Sequence, residues 1–138
     1  MRSNMLAATL VTFAIASPAG AARKADRRGP TITDITTSNH ILVISDCLST
    51  SVTISARVTD QTGIENVLLW SRAGSTRRFK SATMSKRHGR FEKILKGKEL
   101  RGQGYGSVEF YITAQDDHGN STASPPDRSI QFLPCVQN

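Results

Sequence analysis

Along residues 51–59 and 107–114, apolar and polar side chains alternate one for one. In the first segment Val52, Ile54, Ala56 and Val58 fall on one face, with Thr53, Ser55 and Arg57 on the other. In the second, Val108, Phe110, Ile112 and Ala114 oppose Glu109, Tyr111 and Thr113. A period of two marks a half-buried strand, so these two segments are predicted to form the centre of a core. Asp60-Gln61-Thr62-Gly63 connects the first to a third segment, in which Ile64, Val67 and Leu69 continue that core. Helical periodicity is almost absent. Strands are predicted at residues 31–36, 40–45, 51–59, 64–72, 77–84, 90–95, 107–114 and 128–133, with turn chemistry between them. Residues 95–101 (LKGKELR) are read as a loop, because Gly97 and Gly102 interrupt any helix there. Seven or eight short antiparallel strands in about 105 residues predict an all-β sandwich.

At 138 residues the chain has room for one domain with a substantial core. Residues 1–22 carry Arg2, an apolar stretch and then Ala19-Gly20-Ala21, the pattern of a secretory signal peptide with an A-x-A cleavage site. The apolar stretch is about 12 residues where a membrane span needs roughly 20, so no transmembrane span is expected. Residues 23–30 (RKADRRGP) are charged and closed by Gly-Pro, and are read as a short basic linker before a domain at 31–138. In an exported chain the two cysteines, Cys47 and Cys135, most simply form one disulfide that ties the start of the domain to its end. His40, His88 and His118 offer no zinc spacing with them, and no metal or other cofactor is expected.

Two strings carry a resemblance. V-x-I-x-A-x-V-T-D-x-x-G-I-x-x-V-x-L at residues 52–69 and V-x-F-x-I-x-A-x-D-x-x-G-N at residues 108–120 resemble the bacterial immunoglobulin-like and fibronectin type III-like extracellular domains. The resemblance extends over about residues 30–134. It implies an immunoglobulin-like β-sandwich and says little of function, since such domains serve as spacers, adhesion modules and accessory domains. Cys47 precedes the second core strand and Cys135 follows the last, so the cysteines depart from the antibody arrangement and no bridge through the core is implied. Residues 114–120 (AQDDHGN) fall where the family has a tight connection between its last two strands. Asp116, Asp117 and His118 are therefore read as turn residues, not as a metal or catalytic site. The chain has no G-x-S-x-G elbow, H-E-x-x-H, phosphate-binding glycine loop or cysteine–histidine nucleophile, and a non-enzymatic role is expected.

Charge adds a feature that the fold alone does not require. Between residues 71 and 101, eleven lysines and arginines stand against Glu92 and Glu99, within a chain of net charge +7. One reading is a basic binding face centred on Arg72, Arg77, Arg78, Lys80, Lys86, Arg87 and Arg90. The other is a solvated edge that blocks strand pairing. Aromatic interleaving is limited to Phe79 and Phe91, which argues against a specific nucleic-acid partner. The resemblance also places the strands bearing Trp70 and Tyr111 side by side. With Val67 and Leu69 facing the core, Leu68, Trp70 and Tyr111 form an apolar surface patch suited to a protein or a sugar ring. Antibody-type domains bury a tryptophan on this strand and a one-residue slip exchanges the faces, so the sequence leaves both placements open. The reading that follows is a secreted binding or structural module contacting an anionic cell-envelope polymer or an acidic protein. The alternative is a small secreted inhibitor or effector that docks through end loops, with residues 101–106 (RGQGYG) as its specificity loop.

Overall fold

The computed structural model describes residues 25–44 and 50–134. Within them lie ten strands: β1 (Thr31–Thr37), β2 (Ile41–Ile44), β3 (Ser51–Thr59), β4 (Ile64–Ala73), β5 (Lys80–Thr83), β6 (Ser85–Arg87), β7 (Arg90–Lys96), β8 (Gly106–Asp116), β9 (Ser121–Ala123) and β10 (Asp127–Pro134). A single 3-10 turn at Gly97–Leu100 stands in the segment read as a loop, anchored by the buried Leu100. Two sheets pack face to face, ordered β1-β3-β7-β6 and β2-β10-β8-β4-β5, with β9 beside β8. The protein is an all-β sandwich. Among the described residues no helix is long and apolar enough to cross a membrane.

The alternating segments build the core as their pattern dictates. Val52, Ile54, Ala56 and Val58 of β3 face Val67 and Leu69 of β4, with Val108, Phe110, Ile112 and Ala114 of β8, all buried in one cluster with Ile130 and Phe132 of β10. Ile64 packs at its margin. On β1 a register shift between Thr33 and Thr36, with Asp34 at φ 51°, turns both Ile32 and Ile35 toward the core. In a regular strand that odd spacing would put them on opposite faces, and the bulge corrects it.

Three departures from the predicted strands have local causes. The segment 77–84 is not one strand. It pairs with β4 as β5, is pinned at the buried Met84 whose N–H donates to the Val67 carbonyl at 2.9 Å, and continues as β6 on the other sheet. A two-residue turn, His88 (φ 49°) and Gly89 (φ 76°), then reverses it into β7. Positive φ at both central positions suits the twist of a tight hairpin. The last predicted strand is preceded by β9. The two lie along the same side of β8, interrupted at Pro125-Pro126, where Ser124 supplies its hydroxyl to the Ile112 N–H at 2.9 Å. Finally, β2 runs parallel to β10, with Ile44 opposite Pro134, so the pairing is not wholly antiparallel.

The stretch read as a free linker is partly docked. Pro30 is buried, and the Asp26 carbonyl accepts a hydrogen bond from Asn120 Nδ2 at 3.2 Å. Residues 26–30 are therefore joined to the sandwich by these contacts. Residues 1–22, read as a signal peptide, lie outside the described residues.

Candidate functional site

Three regions outside the core collect charged and aromatic groups. The first is the outer face of the six-stranded sheet. Because Val67, Leu69, Ser71 and Ala73 point inward along β4, Leu68, Trp70 and Arg72 point outward. On β8 the outward residues are Glu109, Tyr111 and Thr113. Register sets them in rungs: Leu68 opposite Thr113, Trp70 opposite Tyr111, Arg72 opposite Glu109. The Trp70 and Tyr111 rings stack with centroids 6.0 Å apart and planes 5° from parallel, and Phe79 meets Tyr111 edge-on at 5.0 Å. Trp70 Nε1 donates to Thr113 Oγ1 at 2.9 Å, so its polar atom is satisfied on the half-buried outer face. Of the two placements that the sequence leaves open for Trp70, the outward one is found.

One rung along, Arg72 donates from Nε (3.0 Å) and Nη2 (2.7 Å) to Glu109 Oε2, and Arg128 of β10 reaches the same oxygen at 3.3 Å. The hydrogen bond from Arg72 holds the Glu109 carboxyl below its ordinary value; burial opposes this and Arg128 adds to it. The Arg72 guanidinium lies 4.4 Å from the Phe79 ring centroid, a cation–π contact, and also donates to the Arg77 carbonyl at 3.1 Å. Arg72, Arg77 and Arg128 line an open cleft of about 340 Å³ together with Glu109, Ser107 and Thr76.

The second region is basic, and its geometry differs from the expected face. The seven basic residues do not share one surface, because the chain passes from one sheet to the other at Met84. Arg72 belongs to the cleft just described. Arg90 is half-buried on the four-stranded sheet, where it donates to Ser55 Oγ at 2.7 Å, to the Asp34 carbonyl and to Thr36 Oγ1, tying β7 to β3 and β1. The other five, Arg77, Arg78, Lys80, Lys86 and Arg87, are exposed along one edge of the sandwich, on β5, β6 and the loop before them. Among the described residues none of the five makes an ion pair. The Lys86 ammonium lies 6.0 Å from the Phe91 ring centroid.

The third region sits at the other end of β4, and it answers the reading of Asp116, Asp117 and His118 as a turn. Asp116 is fully buried. Its Oδ1 accepts from the N–H groups of His118 and Asn120, both at 2.8 Å, and its Oδ2 from Asn120 Nδ2 at 2.7 Å. Burial disfavours its charge, yet the donors of Asn120 and His118 outweigh burial and keep its carboxyl below the ordinary value. Carboxylate oxygens of Asp26, Asp60 and Asp116 also converge within 4.8 Å of one another, a grouping that sequence spacing did not reveal. Asp60 comes from the connection between β3 and β4, and Asp26 from the segment read as a linker. Each of the three serves local donors: Asp26 Oδ1 accepts from the Arg28 N–H at 3.0 Å, and Asp60 Oδ1 from the N–H and hydroxyl of Thr62 at 2.8 and 2.6 Å. A calcium ion takes six to eight oxygens. With these oxygens engaged in turns, the melting temperature is expected to be the same in chelator and in millimolar calcium; a calcium-dependent rise would assign the cluster to a cation instead.

The glycine-rich loop 101–106 is fastened at its middle. Gln103 is buried, its Oε1 accepts from the Ala73 N–H at 3.0 Å and its carbonyl from Thr76 Oγ1 at 2.8 Å, while Nε2 has no partner among the described residues. Tyr105 stays exposed and packs on Phe132 at 5.0 Å. Cys47 and Cys135 lie outside the described residues; the strands that lead toward them, β2 and β10, end side by side. Compared with models of known protein families the chain matches none, and a search of the curated proteins finds no match.

Proposed function

We propose that the chain is an exported, non-enzymatic immunoglobulin-like module that holds an anionic envelope polymer along its basic edge. The strand order supports the immunoglobulin-like part of this reading: β1-β3-β7-β6 corresponds to one sheet of such a sandwich, and β10-β8-β4-β5 to the other. The observation that carries the binding role is the line of five exposed cations on β5, β6 and the preceding loop, none neutralised among the described residues. Exposed charges are screened over about 8 Å at physiological ionic strength, so a single small anion gains little there. A polymer that touches several side chains at once adds their contributions and releases its own counterions.

The test is retention on a polyanionic matrix as salt rises. With five contacts, counterion release predicts a loss of about two to three orders of magnitude in affinity between 50 and 200 mM salt for a polymer as densely charged as nucleic acid. Replacing Arg77, Arg78, Lys86 and Arg87 by glutamine is expected to abolish retention and leave the circular dichroism and melting temperature of the parent. Arg90 is excluded from the set because its bonds hold β7 to its neighbours. Retention of the quadruple variant at the parent's salt concentration refutes the edge as the binding element.

The proposal of export brings a second expectation. Cys47 and Cys135 form one disulfide, so the native protein purified from an oxidising compartment contains no titratable thiol. Closing a loop of this length stabilises by about 4 to 5 kcal/mol in the chain-entropy model, as an upper figure. Reduction should therefore lower the melting temperature by many degrees, and quantitative thiol labelling of the untreated protein would refute the bridge.

A further inference from the structure

We propose that the cleft at Arg72, Arg77 and Arg128, with the aromatic cluster beside it, is a subsite for a uronate, a sugar ring that carries a carboxylate. The inference rests on the reading of the chain as a polyanion-binding module and adds a site and a ligand class to it.

Charge gives the first half of the argument. Two guanidinium groups, of Arg72 and Arg128, reach one carboxylate, Glu109, and Arg77 also lines the cleft, so two positive charges are left over. Arg72 is committed, since both its Nε and Nη2 donate to Glu109 Oε2. Arg128 is not: its side chain is 68% exposed and touches Glu109 through one nitrogen at 3.3 Å. Arg77 is exposed on the cleft wall, with its carbonyl rather than its guanidinium engaged by Arg72. Arginines lining one opening suit a carboxylate, whose two oxygens accept charge-assisted hydrogen bonds from guanidinium groups.

The second half is the aromatic surface. The Trp70–Tyr111 rung lies two residues along β4 and β8 from the Arg72–Glu109 rung, about 7 Å at the rise of an extended strand. That is close to the width of one pyranose ring. Phe79, under the Arg72 guanidinium and against the edge of Tyr111, joins the two rungs. A sugar ring seated at this junction puts its apolar C–H face against aromatic carbon and its carboxylate toward Arg77 and Arg128. Glu109, kept charged by Arg72, accepts from ring hydroxyls, and Ser107 and Thr76 on the cleft wall add hydroxyl partners. A bare phosphate or sulfate ester uses the arginines and leaves the aromatic rung unused. Ring and carboxylate together account for both.

Titrating the full chain with a galacturonate tetramer, the matching neutral galactose tetramer and a glycerol-phosphate oligomer tests the site. Two readouts serve, calorimetry and the emission of Trp70, the chain's single tryptophan. The uronate is expected to shift the emission and to bind about tenfold or more tightly than either comparator. Arg128→Gln should weaken it about tenfold or more, through loss of one charge-assisted pair, and its exposed position makes the fold indifferent to the change. A variant with Arg78, Lys86 and Arg87 replaced by glutamine should bind the tetramer within about twofold of the parent. Absence of an emission change, equal affinity for glycerol phosphate, or an Arg128→Gln variant that binds like the parent overturns the uronate site. If that happens while the parent is still retained on the polyanionic matrix, the edge reading survives alone. Tetramer binding without matrix retention overturns the edge and keeps the cleft.

Discussion

Asp116→Ala is expected to melt roughly 10 °C or more below the parent, further than any substitution on the basic edge. The side chain is fully buried and accepts three hydrogen bonds, from the N–H groups of His118 and Asn120 and from Asn120 Nδ2. Alanine removes the acceptor of the His118 and Asn120 N–H groups and one of the two acceptors of Asn120 Nδ2, all in part-buried hydrogen bonds, and an unmade hydrogen bond that water only partly replaces costs more than a made one contributes. Asn120 also reaches the Asp26 carbonyl, so loosening this turn frees the segment before β1 as well. Asp116→Asn should recover part of the loss. Its carbonyl replaces Oδ1, but its amide faces the Asn120 amide, donor against donor. The pH dependence separates the charge from the shape. Because the folded carboxyl titrates below its ordinary value of 3.8, its contribution is fully present above that value. As pH falls the unfolded chain takes up the proton first, and the contribution is lost on passing through the lower folded value. Urea unfolding from pH 7 down to pH 3 should therefore show the parent converging on Asp116→Asn in acid. A constant gap between them across that range, or an alanine variant that melts like the parent, would sink the argument.

The sequence revealed most where a contact depends on one strand alone. Strict alternation in β3 and β8 placed every one of their core residues, and the same alternation in β4 turned Leu68, Trp70 and Arg72 outward together. What it could not supply is anything decided between strands. The crossing at Met84 depends on a hydrogen bond to Val67 in another strand, and without it residues 77–84 read as one continuous element and the basic residues as one face. Arg90 looked like its neighbours in the charged run, yet acceptors on β3 and β1, far away in the chain, hold it in the structure. Asp26 stood in a charged stretch of no apparent pattern and meets Asp116 only once the sandwich has closed. One further signal is local. The dipeptide His88-Gly89 between two polar strands is the mark of a two-residue hairpin, and it divides β6 from β7.

The four sheet edges show how charge serves both readings of the basic segment. On β1 the bulge at Asp34 breaks the row of backbone groups that another strand would use. On β2 the Val43 N–H donates to Thr50 Oγ1 at 2.7 Å and the Val43 carbonyl accepts from the Thr50 N–H, so this apolar edge is closed from within the chain. Edge strands β5 and β6 have neither device. They are short and carry Lys80, Lys86 and Arg87. The cations that prevent another strand from pairing there are the same ones that present a line of positive charge to a polymer, so guarding the edge and binding along it are one arrangement.

Gly74→Ala should destabilise the fold by roughly 2 to 5 kcal/mol and Gly102→Ala by only about 1 to 2, although both glycines adopt left-handed backbone. Gly74 has φ 56° and Gly102 φ 83°, so alanine pays the left-handed penalty at either position. The difference lies in the surroundings. A Cβ on Gly102 meets nothing within 4 Å, whereas one on Gly74 lies 2.9 Å from the Gly104 carbonyl carbon and the Tyr105 oxygen and 3.0 Å from the Gln103 oxygen. All three are backbone atoms, and no rotamer change can move them aside. Relief requires the loop 101–106 to retreat, and that loop is held by the bonds of Gln103 to Ala73 and Thr76. The cost at Gly74 is therefore the backbone penalty plus the price of breaking a buried junction. Because Gly74 and Thr76 also line the arginine cleft, Gly74→Ala should weaken binding of the galacturonate tetramer as well, while leaving retention along β5 and β6 unchanged. Urea unfolding of the two variants measured together decides the stability claim. Equal losses would mean that the junction yields without resistance, and that the loop is no part of what shapes the cleft.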